Sequence, residues 1–211
     1  IDATPTLCDH IHLPVQSGSS SMLRAMSREY TRDWYLERMS WIHAAKRDIS
    51  ITSDMIVGFP GETDADFEQT ITLLGAVRYD AVFAFKFSPR PNTPAVGMPD
   101  TISDELKTER LRILNDRQRE IQREHYARHL GQTVEVMIES HNPARGQIVG
   151  RSTQNKTVNF TLEPGVPDPP IGSYLPIHIT RTMPNCLIGE AIAGSIPSQT
   201  TPKAQPFVVL N

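Results

Sequence analysis

Apolar runs typical of strands alternate, along the first part of the chain, with segments whose apolar residues recur at helical spacing. Strands are predicted over residues 10–15, 49–57 and 81–87. Helices are predicted between them, from Thr31 to about residue 46 and from Thr63 to about residue 77, with both threonines as N-caps. This order predicts a parallel sheet covered by helices. Three strands make only part of a full barrel, so we expect the C-terminal part of a longer protein.

The pattern changes after residue 87. Residues 88–100 form a proline-rich loop, and Ser103 is predicted to cap a long charged helix that reaches about residue 130. From Gly131 onward, five short runs rich in Val, Ile and Thr predict a small all-β barrel or sandwich. The predicted domains are therefore residues 1–130 and 131–193, followed by a tail or linker over 194–211.

Composition narrows the class of protein. The chain has 211 residues, of which 38% are hydrophobic and 21% charged, and its formal net charge is -3. This fits a globular protein and gives no whole-chain basic excess for nucleic acid. The two cysteines do not make a disulfide framework, and no apolar run is long enough to span a membrane. We expect a cytoplasmic protein without a membrane partner.

The segment CDHIHLPVQSGS suggests a metal site at first sight. Strand alternation predicts that Cys8, His10 and His12 share one face with Gln16, directed to the barrel interior. Structural zinc normally takes four ligands at other spacings, so no metal ligand is predicted here. The histidines are better explained as polar packing or as lining on the substrate side.

Three polar side chains near the predicted strand ends are candidates for binding. The Gln16 amide suits a hydroxyl, the Arg28 guanidinium suits a carboxylate, and Asp54 suits a ribose diol. In SDMIVGFPGET, Gly58 and Gly61 allow a tight turn where a ligand approaches the backbone. Each residue also has an ordinary explanation as a solvated turn or surface residue.

The β-rich part carries a local group of basic residues. Arg145, Arg151 and Lys156 lie close together in sequence, with Asn155 among them, although acidic residues outnumber bases there. A small barrel with basic and aromatic residues on one side is a common RNA-binding design. An accessory barrel without RNA remains the alternative on composition alone.

Five segments in order, HIHLPVQSGS, MSREYT, SDMIVGFPGET, FKFSPRPNTPA and GRSTQNKTVNF, resemble the MiaB-type tRNA methylthiotransferases. The resemblance implies the C-terminal half of a radical S-adenosylmethionine (SAM) α/β barrel, which is TIM-like, followed by a TRAM barrel. It implies radical SAM chemistry that adds a methylthio group to C2 of N6-isopentenyladenosine beside the tRNA anticodon. The implied cofactors are SAM and two 4Fe–4S clusters, and the implied partners are the tRNA anticodon stem-loop and a missing N-terminal part.

Residue by residue, the resemblance implies that Gln16 and Asp54 hold the SAM ribose and that Arg28 holds its carboxylate. Ile56, Gly58, Phe59 and Pro60 match the wall near the adenine. Arg145, Arg151, Asn155 and Lys156 match the TRAM part and are weaker candidates for tRNA phosphate contacts.

One departure from the family pattern concerns the clusters. The sequence has no Cys-x3-Cys-x2-Cys motif, and Cys8 and Cys186 do not replace one. We expect the cluster ligands to lie outside this chain, which then has no catalytic or metal-binding residues and does not turn over by itself. Two alternatives stay open: a methylthiotransferase that modifies an aspartate of a ribosomal protein, and a non-catalytic TRAM-type RNA-binding module.

Overall fold

The computed structural model describes residues 2–4, 6–99 and 101–192, which divide into two compact units. The α/β unit comprises residues 11–122, and the barrel unit comprises the described residues among 1–10 and 123–211. The predicted tail, 194–211, lies outside the described residues. The predicted domain limits therefore remain predictions.

The α/β unit is built on a three-stranded sheet with the strand order β1-β2-β3. The strands are β1 (His10–His12), β2 (Ser50–Val57) and β3 (Ala81–Lys86). The helices are α1 (Ser20–Ala25), α2 (Arg32–His43), α3 (Asp64–Val77) and α4 (Asp104–Ala127), the last of which ends in the barrel unit. β2 and β3 are parallel and joined by α3, which confirms the predicted α/β class.

The two faces of β2 differ in burial. On one face, the apolar side chains are buried in a core that also contains residues of α2, α3 and α4. These β2 residues are Ile51, Met55 and Val57. The opposite face carries Asp54 and Ile56, which are half-buried and pair in register with Phe83 and Phe85 of β3. These two phenyl rings are 55% and 56% exposed. The polar candidate Asp54 thus lies on the open face of the sheet.

The predicted helix caps are confirmed. Thr63 accepts a hydrogen bond from the Asp66 amide, and Asp66 accepts one in return from the Thr63 amide, which makes a capping box at the start of α3. Thr31 caps α2 by accepting from the Trp34 amide. Ser103 accepts from the Leu106 amide at the start of α4. These local side-chain bonds explain why the helices begin where the sequence predicts.

The predicted strand over residues 10–15 is shorter in the structure, and the expected alternation as far as Gln16 is wrong. β1 ends at His12, and Gln16 has a φ of 72°, in the left-handed region. Pro14 has no amide to continue a strand ladder. A residue with positive φ also breaks the alternation of side chains between faces, so Gln16 does not simply continue the face of His12.

Between β1 and Gln16, one backbone bond to β2 remains, from the Leu13 amide to the Thr52 carbonyl at 2.9 Å, and side chains supply the other partners. Ser53 donates from its hydroxyl to the Leu13 carbonyl at 2.9 Å and accepts from the Val15 amide at 3.0 Å. The Tyr35 hydroxyl also donates to the Leu13 carbonyl, at 2.9 Å. Because buried backbone polar groups require partners, these bonds hold an irregular segment in place.

The barrel unit is a closed five-stranded barrel with the strand order β4-β5-β6-β8-β7. The strands are β4 (Thr133–Asn142), β5 (Gln147–Ser152), β6 (Thr157–Thr161), β7 (Tyr174–Met183) and β8 (Cys186–Ala191). All pairs are antiparallel except β6 with β8. The core includes Val136, Ile138, Val158, Phe160 and Ile177, all without exposed surface. The predicted small all-β barrel is confirmed.

Across the described parts of the chain, none of the helices is both long and apolar enough to cross a bilayer.

Candidate functional site

Gln16 is joined to the C-terminal half of β2 by two backbone hydrogen bonds. Its amide donates to the Asp54 carbonyl at 2.9 Å, and its carbonyl accepts from the Ile56 amide at 2.9 Å. This isolated parallel bridge sets Gln16 opposite Met55. Three of the predicted site residues, Gln16, Asp54 and Ile56, are therefore neighbours near the carboxyl end of β2, where ligands bind in parallel α/β folds.

His12 belongs to this group, although the sequence predicted it only as packing or lining. Its Nε2 lies 3.6 Å from Asp54 Oδ2, and its Nδ1 lies 3.0 Å from the Thr52 hydroxyl. Its ring meets Phe83 edge-on, with the ring centroids 6.2 Å apart. In the sequence, only the alternation in HIH pointed to His12. Its position beside Asp54 depends on how β1 pairs with β2, which the sequence alone does not show.

The segment after Gln16 is held against α3. The Gly18 amide donates to the Thr70 hydroxyl at 2.9 Å. A Cβ at Gly18 would overlap the backbone of Gln69 and Thr70, so only glycine allows this close approach. The position of Gln16 thus depends on a loop that is fastened to a helix more than forty residues later in the chain.

Asp66 makes the second attachment between this loop and α3. Its Oδ1 accepts from the hydroxyls of Ser19, at 2.6 Å, and Ser21, at 2.5 Å. Its Oδ2 accepts from the Thr63 amide at 3.0 Å and hydroxyl at 2.6 Å. Burial alone raises the pKa of this carboxyl, but the donors from Ser19, Ser21 and Thr63 outweigh it and hold the pKa well below its usual range. The carboxylate is therefore ionised wherever the protein is folded near neutral pH.

The turn after β2 holds the other predicted cofactor-binding residues. Gly58 has a φ of 71°, which favours glycine, and follows the last residue of the strand. Phe59 and Pro60 are buried, and the Phe59 ring packs edge-on against Phe87 with centroids 4.9 Å apart. Of the predicted adenine wall, Ile56 is half-buried on the open face of β2, while Phe59 and Pro60 are buried.

Arg28 stands apart from these contacts. It is exposed and follows Ser27, whose φ of 57° turns the chain after α1. Within the described residues, no ion pair or hydrogen bond joins its side chain to Asp54. Burial raises the pKa of the neighbouring Tyr30 hydroxyl, and the positive charge of Arg28 opposes that rise. The structure therefore leaves this guanidinium open to solvent.

The predicted RNA-contact residues of the barrel unit fall into three settings. Arg151 donates to Glu139 at 2.8 Å and to the Asn155 side chain at 3.1 Å, so these two predicted residues are together. Arg145 is exposed at the end of a short 3-10 turn between β4 and β5. Lys156 is only 4% exposed, and its Nζ lies 5.0 Å from the centroid of the Tyr126 ring. Arg145 is the one of the three cations most open to a phosphate.

The described residues do not fit an iron–sulfur cluster. Cys8 and Cys186 are unbonded to any other cysteine, and the Cys8 thiol points to the His10 carbonyl at 4.0 Å. Among the residues that the structure describes, no group of three or more His, Cys, Asp or Glu side chains could hold a metal ion. In contrast, the amide, carboxylate and apolar side chain around β2 fit the ribose and adenine of an adenosyl cofactor.

Two family models match this chain. Residues 2–74 match the radical SAM superfamily, and residues 127–192 match the TRAM domain. The first range contains the Gln16, Asp54 and Gly58 positions, and the second contains all five strands of the barrel.

Several curated proteins with similar sequences are named tRNA-2-methylthio-N(6)-dimethylallyladenosine synthase. The protein from Koribacter versatilis is 58% identical over 193 residues, which are 91% of this chain and 43% of that protein. The one from Solibacter usitatus is 53% identical, over 92% of this chain and 43% of its own length. The one from Aquifex aeolicus is 40% identical, over 89% of this chain and 41% of its own length. The chain thus spans less than half the length of the curated relatives it matches.

Proposed function

We propose that this chain, a homologue of the MiaB-type tRNA methylthiotransferases over about nine-tenths of its length, is part of such an enzyme. The enzyme would attach a methylthio group to C2 of N6-isopentenyladenosine in tRNA. Radical SAM proteins use SAM together with an iron–sulfur cluster, and the cluster supplies the electron that starts the radical reaction. With tRNA as the partner, the proposed activity belongs in the cytoplasm.

The observation that carries the proposal is the backbone pairing of Gln16 with β2. It places the backbone of Gln16 directly beside Asp54 and Ile56, in the C-terminal half of β2. An amide and a carboxylate suit the two hydroxyls of a ribose, and an apolar side chain suits a purine face. His12 extends this set, because its Nε2 lies 3.6 Å from Asp54 Oδ2.

Arg28 is proposed to bind the carboxylate of SAM. Its side chain is exposed and available, and a guanidinium holds a carboxylate through two parallel hydrogen bonds. The turn at Gly58 is proposed to form the rest of the adenine wall through its backbone, with Phe59 and Pro60 supporting it from the buried side.

Both 4Fe–4S clusters are proposed to take their ligands from outside residues 1–211. This chain supplies two cysteines, without the Cys-x3-Cys-x2-Cys spacing. The role of the α/β unit is then to bind and orient SAM rather than to hold the clusters.

The barrel unit is proposed to bind the tRNA, with the anticodon stem-loop as the target. Phosphate contacts require exposed cations, and Arg145 meets this condition. Arg151 and Asn155 would act as a pair, because Arg151 is bonded both to Asn155 and to Glu139. Lys156 would contribute to tRNA binding indirectly, through its packing on the Tyr126 ring.

The test of the activity is mass spectrometry of tRNA nucleosides from a strain that lacks the gene encoding this chain. We expect 2-methylthio-N6-isopentenyladenosine to disappear and N6-isopentenyladenosine to accumulate. Unchanged methylthiolated nucleoside would overturn the proposal, and loss of a methylthio group from a ribosomal protein instead would identify the aspartate-modifying alternative.

The test of the SAM site is a binding measurement on the longer polypeptide that carries this chain, with Asp54→Ala and Arg28→Ala. Each variant loses a charged group proposed to contact SAM, so we expect the dissociation constant to rise about tenfold or more. Glu68→Ala, an exposed residue of α3, is the matched control. Unchanged affinity in both variants would refute the assignment.

A further inference from the structure

A buried ion pair joins the loop after β2 to helix α4. Glu62 is 4% exposed and Arg110 is 3% exposed. Arg110 Nη1 donates to Glu62 Oε2 at 2.8 Å and to the Glu62 carbonyl at 3.1 Å. Its Nη2 donates to Asp64 Oδ1 at 2.7 Å. One guanidinium thus holds both the end of the loop and the start of α3.

The same carboxylate reaches back across the loop. Glu62 Oε2 also accepts from the Gly58 amide at 2.8 Å, so a single oxygen links Arg110 to the turn that follows β2. The stem of Lys107 packs where a Cβ of Gly58 would stand, which adds a second contact from α4 to this turn. The conformation of Gly58 is therefore set by side chains of a helix that begins nearly fifty residues later.

The pair is not arranged for maximum stability. Glu62 Oε1 and Arg110 Nε are buried without a hydrogen-bond partner among the described residues. Burial raises the pKa of Glu62 above its usual range, although the Gly58 amide and Arg110 oppose the rise. Well-packed apolar residues are often as stabilising as a buried ion pair. What an apolar pair would not supply is the acceptor that fixes the Gly58 amide.

We propose that Glu62 and Arg110 are positioning residues for SAM, which fix the backbone of Gly58 in the conformation that the adenine requires. The proposal rests on the proposed SAM site around Gln16 and Asp54. Neither side chain needs to touch SAM, because both act through the Gly58 turn. Helix α4, whose exposed surface is covered with ion pairs, thereby has one buried side that serves the binding site.

The experiment measures the SAM dissociation constant by equilibrium dialysis of the longer polypeptide, with the variants Glu62→Leu, Arg110→Met and the double variant. We expect each single variant to weaken binding by about 10- to 100-fold, as for a small misplacement of a binding group. The double variant should be no weaker than either single one, because the two residues act as a unit. Arg112→Met, which removes exposed ion pairs on the same helix, should change binding less than twofold.

Two further measurements separate positioning from general stability. Arg110→Lys keeps a buried cation and one hydrogen bond, so it should fold and show an intermediate affinity. In NMR spectra of the 211-residue chain, the Gly58 amide proton should move upfield in Glu62→Leu and stay in place in Arg112→Met.

The outcomes are distinguishable. If the unmodified polypeptide binds no SAM, the proposed function itself fails, and this inference fails with it. If the unmodified polypeptide binds SAM and the folded Arg110→Lys and Glu62→Leu variants bind it equally well, the proposed function stands and the positioning role is overturned. An unmoved Gly58 amide in Glu62→Leu also overturns it.

Discussion

Ser19 donates its hydroxyl to Asp66 at 2.6 Å, and this bond joins the loop behind Gln16 to the first turn of α3. The Asp66 carboxylate is also the partner of Thr63 in the capping box. One buried carboxylate therefore both starts a helix and anchors a loop of the proposed binding site.

Asp66→Asn is expected to destabilise the chain by about 1.5–3 kcal/mol at pH 7. An amide has one acceptor oxygen, so either the serine hydroxyls or the Thr63 donors would face an NH2 group. Chemical denaturation followed by circular dichroism measures the change. Glu68→Gln, on the exposed side of α3, is the control and should differ little from the unmodified chain.

The same residue predicts a dependence of stability on pH. Because the folded pKa of Asp66 is lowered, its contribution is complete above the unfolded pKa of about 3.9 and is lost as pH falls from there toward the folded pKa. Between about pH 5 and 3, the free energy of unfolding should therefore fall more steeply in the unmodified chain than in Asp66→Asn. Equal slopes would contradict the hydrogen-bonding pattern.

Gly18→Ala is expected to cost about 1–3 kcal/mol, because its Cβ would overlap backbone atoms of α3 that cannot move aside. Gly75→Ala gives a control within α3, where the nearest atom to an added Cβ is Arg117 Nη2 at 3.7 Å. That substitution should stabilise the chain by about 0.5–1 kcal/mol, since alanine favours a helix interior. Thermal unfolding of both variants would show shifts of opposite sign.

Gln16→Gly and Gln16→Ala separate the backbone of this residue from its amide. Both remove the group proposed to bind the ribose, so SAM affinity of the longer polypeptide should fall equally in both. Only glycine adopts a φ of 72° without strain, so the Gly variant should be more stable than the Ala variant by about 1–2 kcal/mol. Equal SAM affinity in the Gly variant and the unmodified protein would exclude a role for the amide.

Arg145→Gln is expected to weaken tRNA binding and to reduce the slope of log affinity against log salt by about 0.7–0.9. Arg151→Gln should change this slope less, because Glu139 already neutralises that cation. Filter binding at several salt concentrations measures both. A larger change for Arg151 would place the RNA contact on the Arg151–Asn155 pair instead.

Local chemistry made much of the fold predictable. The predicted limits of α3, 64–77, agree with the structure. The helix begins there because Thr63 and Asp66, which are three residues apart, form a capping box. The five barrel strands were predictable because they are short segments between turns, and most of them are rich in Val, Ile or Thr. The sequence did not predict the end of β1 at His12, since the side chains that replace its ladder come from Tyr35 and Ser53.

Local residue chemistry also made part of the candidate site predictable. Gln16 and Asp54 were identified through resemblance and residue chemistry, but their direct backbone pairing depends on the strand arrangement. The contact of His12 with Asp54 and the link from Arg110 to Gly58 through Glu62 join residues that are far apart in sequence. Periodicity and capping carry no information about such contacts.

The open sheet face has a practical consequence for work with this chain. Among the described residues, β3 is one of the two edge strands of its sheet, and it displays Phe83 and Phe85 to solvent. Exposed phenyl rings on an unpaired edge favour strand-to-strand aggregation, which strengthens with concentration and with precipitating salts. Dilute samples at low salt, or a lysine in place of Phe83, should keep the isolated chain in solution.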